Sequence, residues 1–481
     1  MLSLLSSVFI AQATPTSLVS QQYLIQPQEI RTLPGELNKV NVFNSNSPEV
    51  VQTEGILLST FPGSRMRFPN AHLQQTLEGR FDLFTHHIAR PQAKGRMLYQ
   101  GVIVYNPSDR LVRVRVLQAA SYLTNPDAPF INLPSILEDR WGRFFSGPGS
   151  RLMGEILRGY NDPHFPNQIV IPPGQSRMLF GVPIPNSSAR STFMRLDSSG
   201  SIYVANLAMY GKPNTSGGAT KTANVGSIRN RQTAFREPTL EEWQKLLLEG
   251  GLVYPRDIPP TPLDDPTIEK TIYGRVSGIS VGSEWVATLV DPGTSDLSIP
   301  ARGKAFSYPL STVNQGTHGT QQIQSAPMLV RYPDTAFLAH GNYAVHYNLT
   351  LPLVNNTEQP QTITISIQTP IKQDEYSDRL FFREPPQGQV FFRGPVRVEY
   401  KDDRGLITRR YFHIIQRQGQ QGQPMITLNL EPGESREVNI DFLYPPDATP
   451  PQVLTVRSMD SYYISPRDRR PRPLGNQMLP R

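Results

Sequence analysis

The stretch VIVYNPSDRLVRVRVL, residues 102–117, runs an apolar segment into a turn and out again into an alternating segment. In the second segment Val112, Val114 and Val116 alternate with Arg113 and Arg115. Successive side chains of a β-strand point to opposite faces, so the alternation predicts a strand with its valines buried and its arginines in water. The Asn-Pro-Ser-Asp run at 106–109 is typical of a turn, and we expect a β-hairpin here.

The pattern returns as NLTLPLVNNTEQPQTITISI at residues 348–367. Asn106 and Asn355 are separated by 249 residues, and the later turn glycines Gly174 and Gly433 by 259. Similar order and similar spacing indicate a duplication. We therefore predict an all-β chain with two tandem β-sandwich domains of immunoglobulin-like form, at residues 22–210 and 267–460.

Composition agrees with this fold class. A chain of 481 residues is long enough for two or three domains. Its 46 prolines and 35 glycines disfavour helices and punctuate short strands. The absence of cysteine excludes disulfides, thiol nucleophiles and cysteine-ligated metal centres. A net charge of +7 is modest for this length and does not indicate a nucleic-acid partner.

Residues 211–266 predict a linker that carries one helix at 239–249. Thr239 is a suitable N-cap, and Gly250 follows the last helical residue. The apolar positions recur with helical spacing on one face, at Leu240, Trp243, Leu246 and Leu247. We expect this helix to brace the two domains; the alternative is a helix that binds a partner.

The two ends of the chain predict an exported protein. Residues 1–13 combine a short apolar segment with Ala11-Gln12-Ala13, a small-x-small pattern typical of signal-peptide cleavage, although no basic residue precedes it. No other segment approaches the ~20 apolar residues that span a membrane. Residues 461–481 predict a basic, disordered tail. The expected location is the periplasm or the extracellular space.

Three further runs carry a family resemblance: FDLFTHHIA at 81–89, PTLEEW at 238–243 and YPPDATPPQVLTV at 444–456. In these runs the chain resembles the DUF3370 family, a group of uncharacterised proteins found mainly in cyanobacteria. The resemblance extends from about residue 22 to 460. It implies a cyanobacterial, exported protein, and it supplies no catalytic or binding residues.

Histidines are the first candidates for chemistry. His86 and His87 are adjacent, and neighbours on a strand face opposite sides, so a shared metal ion would require a turn. We expect a structural pair with one ring packed and the other in water; a metal or catalytic role is the alternative. His340 and His346 are expected at the surface, too far apart to share an ion, and His413 is expected in a core or an interface.

Carboxylate pairs at Asp264-Asp265 and Asp402-Asp403 are the next candidates. The first lies in a proline-rich segment and the second at a hairpin tip, so turn formation is favoured over the paired acids of a glycosidase. The glycines Gly217-Gly218 favour a linker over a phosphate-binding loop. Calcium-loop, nucleophile-elbow, phosphate-loop and dinucleotide motifs are absent from the sequence.

Two surface features favour binding. Arg113 and Arg115 could meet an acidic polysaccharide or a lipid headgroup, although a solvated sheet face is the commoner use. The insertion at 121–168 is rich in aromatic residues that could stack on sugar rings or pin the loop to the core, namely Trp141, Phe144, Phe145 and Tyr160.

The sequence assigns no catalytic, cofactor-binding or metal-binding residue. The function it favours is non-catalytic binding or a structural role in the cell envelope. The expected partner is an envelope glycan or another envelope protein, with no nucleic acid and no transmembrane span. The alternatives are an enzyme that acts on polysaccharide through a loop-built site and a chaperone-like assembly factor.

Overall fold

A computed structural model of the chain describes residues 22–91, 97–125, 133–214, 235–262, 271–446 and 448–461. These residues form an all-β protein, as predicted, with two α-helices. The predicted signal peptide, Gly217-Gly218, Asp264-Asp265 and all but the first residue of the predicted basic tail lie outside the described residues.

Most of the strands are short, but β6, β8, β24 and β25 have 11 to 13 residues and β12 has 22. The described part of the N-terminal half, residues 22–262, contains β1 Gln22–Pro27, β2 Glu29–Ile30, β3 Asn41–Ser45, β4 Val50–Val51, β5 Gly55–Ser59, β6 Leu77–Ala89, β7 Leu98–Tyr105, β8 Val112–Thr124, β9 Ile136–Glu138, β10 Gln168–Ile171, β11 Ser176–Ile184, β12 Ala189–Tyr210, β13 Lys212–Pro213 and β14 Phe235–Arg236. The described part of the C-terminal half, residues 271–461, contains β15 Ser277–Val281, β16 Glu284–Thr288, β17 Leu297–Ser298, β18 Ala305–Leu310, β19 Ala326–Arg331, β20 Leu338–Ala339, β21 His346–Val354, β22 Gln361–Gln368, β23 Arg379–Glu384, β24 Val390–Lys401, β25 Ile407–Arg417, β26 Ile426–Leu430, β27 Ser435–Leu443 and β28 Gln452–Ser458. The helices are α1 Pro148–Leu157 and α2 Leu240–Glu249.

β12 organises the N-terminal half. Its first part, 189–198, pairs with β6 and β8, and its last part, 203–210, pairs with β7. Val102 and Val104 of β7 and Val112 and Val114 of β8 are buried in one core. The predicted alternation is confirmed, because Arg113 and Arg115 are exposed between the buried valines.

Two sheets line the core of the C-terminal half. One has the strand order β16-β21-β27-β24-β25-β9, and the other has the order β2-β18-β28-β22-β26. The alternating apolar side chains of β21 and the isoleucines of β22 lie in the same buried cluster. This packing removes both apolar faces from water, which is the main favourable term in folding.

The repeated stretches cross between neighbouring layers and do not form hairpins. β7 pairs with β11 and β12, whereas β8 pairs with β10 and β12, so β7 and β8 do not pair with each other. β21 and β22 likewise belong to different sheets. The hairpin prediction is therefore wrong. Alternation identifies strands and turn residues identify a reversal, but neither determines the hydrogen-bonded partner of a strand.

We call the two places where the chain passes from one layer to the next, after β7 and after β21, the crossings. In each crossing the side chain of one asparagine bonds to the backbone of the neighbouring segments. Asn106 Nδ2 donates to Arg110 O at 2.6 Å and to Ile171 O at 2.9 Å, and Gly174 N donates to Asn106 O at 3.0 Å. Both crossings are built on this plan, and the side chains of the two asparagines are fully buried.

The second crossing repeats these bonds. Asn355 Nδ2 donates to Gln359 O at 3.0 Å and to Leu430 O at 2.9 Å, and Gly433 N donates to Asn355 O at 2.8 Å. The strand pairs β7–β11 and β8–β10 recur as β21–β27 and β22–β26. This recurrence is the arrangement that a duplication would produce.

The two halves exchange strands. β1 pairs with β23 and β2 with β18, and β9 extends the sheet that contains β25. In the other direction, β15 of the C-terminal half pairs with β3. The predicted domains at 22–210 and 267–460 therefore share strands across their boundaries.

The helices differ in what they contact. The predicted cap of α2 is confirmed, because Thr239 and Glu242 form a reciprocal capping box. Trp243 and Leu247 of α2 are buried against strands of the N-terminal half. The helix that packs between the halves is α1, whose Leu152 and Met153 share a cluster with Phe193 and Leu443.

Candidate functional site

The insertion that precedes β10 forms an open cleft of about 440 Å³ beside α1. We call this the α1 cleft; it is lined by Asp139, Trp141, Gly142, Phe144, Phe145, Ser150, Arg151, Gly154, Glu155, Arg158, Gly159, Tyr160 and Pro395. Pro395 lies on β24, so the cleft is built from both halves of the chain.

Asp139 holds the loop on one side of the cleft. β9 first attaches the chain to β25, and Asp139 follows it directly. Its carboxylate accepts the backbone N–H of Arg143 at 2.8 Å and that of Phe144 at 3.2 Å. An ionised carboxylate that accepts backbone N–H groups is a strong local anchor. This anchor fixes the direction of the aromatic residues 141–145.

The other side of the cleft is α1 itself. Gly147, with φ of 101°, precedes Pro148 at the first helical position, where a missing N–H costs nothing. Leu152, Met153 and Ile156 are buried beneath the helix, so its remaining face lies toward the cleft. The helix is thus held rigidly by both halves of the chain.

Three aromatic side chains of the cleft are exposed to solvent. Trp141 is 69% exposed, Phe144 44% and Tyr160 45%. Phe145 packs edge-on against Tyr122 at 5.3 Å and pins the loop to the sheet. Of the two uses predicted for these aromatic residues, Phe145 therefore has the structural one, and the other three remain available to a ligand.

Charged groups are interleaved with these rings. Arg151 Nε donates to Glu155 Oε1 at 2.7 Å, and the Arg151 guanidinium lies 5.3 Å from the ring centres of both Tyr122 and Phe145. Burial raises the pKa of Glu155, although Arg151 opposes the shift. Burial also lowers the pKa of Arg158, whose guanidinium lies 3.7 Å from the Asp139 carboxylate.

This arrangement is suited to a sugar ring. Exposed aromatic faces pack on apolar C–H surfaces, while nearby carboxylate and guanidinium groups bond to hydroxyls. The sequence reasoning named the four aromatic residues but missed Arg151, Glu155 and Asp139. The four-residue spacing of Arg151 and Glu155 was a signal for a helical ion pair.

The adjacent histidines of β6 are both buried, so the prediction that one ring is in water is wrong. His87 Nδ1 lies 2.9 Å from Pro48 O, and its Nε2 lies 3.2 Å from Ser45 Oγ. His86 bonds Ser191 Oγ at 2.7 Å, and Glu49 is 3.7 Å away. Both rings are enclosed because the two faces of β6 are covered at this point, with Ser45 and Asn206 beside His87 and Ser191 and Glu49 beside His86.

Two of the remaining histidines are not at the surface, contrary to expectation. His340 is 5% exposed, and its ring centre lies 4.7 Å from that of Tyr273. His346 lies 3.0 Å from Asp441 Oδ1, a contact that the sequence could not show. His413 is buried and bonds Ser146 Oγ at 3.1 Å, so its predicted buried position is confirmed.

The remaining candidates have structural partners. Asp402 Oδ1 accepts the backbone N–H groups of Arg404 and Leu406, which confirms its predicted role in a turn. Asp403 accepts a hydrogen bond from Arg436 at 3.2 Å. Arg115 Nε donates to Asp197 at 3.1 Å on the exposed sheet face.

The described residues contain no group of three or more His, Cys, Asp or Glu residues that could hold a metal ion. Within the same ranges, no helix is long and apolar enough to cross a membrane.

Comparison with known proteins identifies a family but no function. The family model described as "Protein of unknown function (DUF3370)" matches residues 28–458. No curated protein matches the chain significantly.

The similar solved structures are remote. Lac15 from a marine microbial metagenome is 9% identical with a TM-score of 0.09; the match covers 86% of this chain and 61% of the Lac15 chain. The CupB6 tip adhesin from Pseudomonas aeruginosa is 12% identical with a TM-score of 0.13, over 88% of this chain and 89% of that one. An 11S allergen from Cocos nucifera is 11% identical with a TM-score of 0.09, over 81% and 88% of the two chains. At these TM-scores, the likenesses support no conclusion.

Proposed function

This chain belongs to the DUF3370 family of proteins of unknown function, and from that premise we propose that it is an exported cell-envelope protein that binds glycan in the α1 cleft. It acts in the periplasm or outside the cell and does not change its ligand chemically. Two tandem, immunoglobulin-like β-sandwiches form its scaffold, and they hold the cleft at their junction.

One observation carries this proposal: Trp141, Phe144 and Tyr160 are exposed together around one cleft. Exposed aromatic side chains that are grouped around one cleft are typical of a binding site. Both other tryptophans of the chain, Trp243 and Trp285, are buried. The exposure of Trp141 is therefore an exception to how this chain uses its largest side chains.

The nature of the polar groups favours a sugar over a protein partner. Arg151, Glu155 and Arg158 stand between the aromatic residues and offer both donors and acceptors. Open aromatic clefts with interleaved polar groups fit flat sugar rings that carry hydroxyls at their edges. A protein partner would be expected to cover a larger and more continuous apolar patch.

The test is binding of the purified protein to an array of peptidoglycan fragments and neutral polysaccharides. Trp141→Ala should weaken binding by about tenfold or more, as the loss of a central aromatic contact does. Tyr23→Ala is the matched control, because Tyr23 is 61% exposed on β1 and does not line the cleft. Equal binding by wild type and Trp141→Ala, or no binding to any glycan, would reject the proposal.

A second candidate function rests on two carboxylates in the same cleft. Asp139 and Glu155 both line it, and burial raises the pKa of Glu155 as a general acid requires. In that case the protein would hydrolyse the glycan it binds. Release of reducing sugar by wild type, and its loss in Glu155→Gln with binding retained, would favour this candidate over binding alone.

A further inference from the structure

A second cavity, of about 400 Å³, lies where loops from both halves meet. We call it the Lys372 pocket. It shares no lining residue with the α1 cleft. Its lining includes the polar side chains of Asn46, Asp257, Tyr273, Arg275, His340, Tyr343, Lys372 and Thr449. Its volume falls in the range of small-molecule sites.

Lys372 brings a partly buried positive charge to this pocket. Its ammonium lies 5.1 Å from the ring centre of Tyr273, and the carboxylate of Asp374 favours its charged form. The nearby Asp374 already accepts hydrogen bonds from the backbone N–H and the hydroxyl of Thr317, at 2.8 and 2.7 Å. Burial lowers the pKa of Lys372 to about 8.

The other charged side chains of the pocket have direct partners. Arg275 pairs with Glu49 at 2.5 Å. Asp257 accepts hydrogen bonds from the neutral donors Ser47 Oγ at 2.8 Å and Glu49 N at 3.2 Å. Lys372 is thus the lining cation with which an anionic group of a ligand can pair.

Two buried polar atoms of the lining also lack partners among the described residues. They are Asn46 Oδ1 and His340 Nδ1, on side chains that are 1% and 5% exposed. A buried polar atom without a partner is costly, and native proteins satisfy such atoms with water or a ligand. Asn46 Oδ1 can only accept, so its partner must carry an O–H or N–H group.

The tyrosine hydroxyls do not supply these partners. Tyr273 Oη donates to Asn314 O, and Tyr343 Oη donates to Ala448 O at 3.1 Å. Their rings add apolar surface to a site that also offers the Lys372 cation, the Asn46 acceptor and a His340 ring nitrogen.

We propose that the Lys372 pocket binds a small carboxylate that carries hydroxyl groups, the chemistry of a single acidic sugar. The carboxylate pairs with Lys372, a hydroxyl donates to Asn46 Oδ1, and a second polar group of the ligand meets His340. The ring of the ligand packs beside Tyr273. This site is independent of the glycan binding proposed for the α1 cleft.

The test is calorimetric titration with D-glucuronate, D-glucose and acetate. Glucuronate has both required groups, whereas glucose lacks the carboxylate and acetate lacks the hydroxyls. We expect glucuronate to bind and the other two compounds to bind at least about tenfold more weakly, since each loses a hydrogen bond or a charged contact. Glucose binding as tightly as glucuronate, or no binding of glucuronate at millimolar concentration, would overturn the proposal.

Variants assign the binding to this pocket. Lys372→Met and Asn46→Ala should each weaken glucuronate binding by about tenfold or more, because each removes one ligand contact. Lys401→Met, at an exposed position, and Trp141→Ala, in the α1 cleft, should leave it unchanged. Unchanged affinity in Lys372→Met would also overturn the proposal.

A measurement on the wild-type chain covers the case in which Lys372→Met does not fold. Reductive methylation followed by mass spectrometry reports the reactivity of each lysine. Glucuronate should slow methylation of Lys372 and leave that of Lys401 unchanged in the same sample. Equal rates at Lys372 with and without glucuronate would contradict the proposed contact.

Discussion

The indole of Trp243 lies directly on the backbone of Gly101. A Cβ atom added at Gly101 would lie 2.6 Å from Trp243 Cε2, closer than real Cβ contacts allow. Gly101 belongs to β7 and Trp243 to α2. Because Gly101 has no side chain, the helix can pack closely against the sheet. Trp243 is fully buried in this position.

Gly101→Ala should therefore lower the free energy of unfolding by about 1–3 kcal/mol, the usual cost of overpacking a core. Denaturant unfolding followed by fluorescence measures the change. Gly388→Ala is the matched control, because a Cβ there meets no atom within 4 Å. A neutral Gly101→Ala would show that α2 does not depend on this contact.

Replacing either crossing asparagine should be equally informative. Asn106→Ala leaves Ile171 O without its side-chain donor, and Asn355→Ala does the same to Leu430 O. We expect a loss of about 1–3 kcal/mol for each buried group left unpaired. Thermal and denaturant unfolding would measure it.

The neighbouring Asn356 provides the control for that pair of variants. Its side chain is exposed and bonds Ser298 Oγ at 2.9 Å. Asn356→Ala should change stability by less than about 0.5 kcal/mol. If it costs as much as Asn355→Ala, the crossing bonds are not the cause.

Acid should destabilise the protein through its buried histidines. Burial lowers the pKa of His87 from 6.5 to about 3, and that of His340 and His413 to about 4. As pH falls below 6.5, the unfolded chain binds these protons and the folded chain does not, so stability is lost. Each such histidine contributes about 1.4 kcal/mol per pH unit. Unfolding midpoints measured from pH 7 to pH 4.5 would show the decline.

The effect of His346 on the pH dependence of stability is opposite in sign. Burial disfavours its charged form, but hydrogen bonds with Asp441 and Glu284 outweigh burial and raise its pKa. Its contribution is present at acid pH and is lost as pH rises through the raised value. One such group does not cancel the histidines with lowered pKa values, which also include His72 and His318, each at about 4. His87→Gln should make the pH slope shallower, because it removes one of the lowered groups.

Replacing a buried side chain of α1 by alanine should weaken the packing between the two halves of the chain. Leu152 is fully buried in the cluster that also contains Phe193 and Leu443. Leu152→Ala should cost about 2–5 kcal/mol, as large-to-small core substitutions do. Leu248→Ala, on the exposed face of α2, should cost less than about 0.5 kcal/mol. Calorimetry would measure both, and similar costs would contradict the bracing role of α1.

Local pattern was enough to predict the strands and one helix. The alternation around Val114 and the cap at Thr239 depend on near neighbours, and both predictions are confirmed. The partners of strands depend on residues far along the chain. Nothing near Asn106 shows that its side chain bonds Ile171, so a crossing was mistaken for a hairpin.

In the candidate site too, the residues that stand out locally were predicted, and those that depend on distant contacts were not. Trp141, Phe144 and Tyr160 were named because aromatic residues stand out in a loop sequence. Glu155 was not named, because its importance comes from burial beside Arg151. Asn46 and Lys372 are 326 residues apart in sequence, so only the folded chain brings them to one pocket. His346 was misplaced for a similar reason, since its partner Asp441 is 95 residues away.

The exchange of strands between the halves has a consequence for how the chain reaches its native state. Gln22 pairs with Glu384, so the first described strand can pair only after most of the polypeptide has been synthesised. Contacts between such distant residues slow folding, since the long loop must close before any pairing is gained. Until then, β1 and the edge of β3 that later receives β15 are unpaired edges, the kind of surface on which chains associate wrongly.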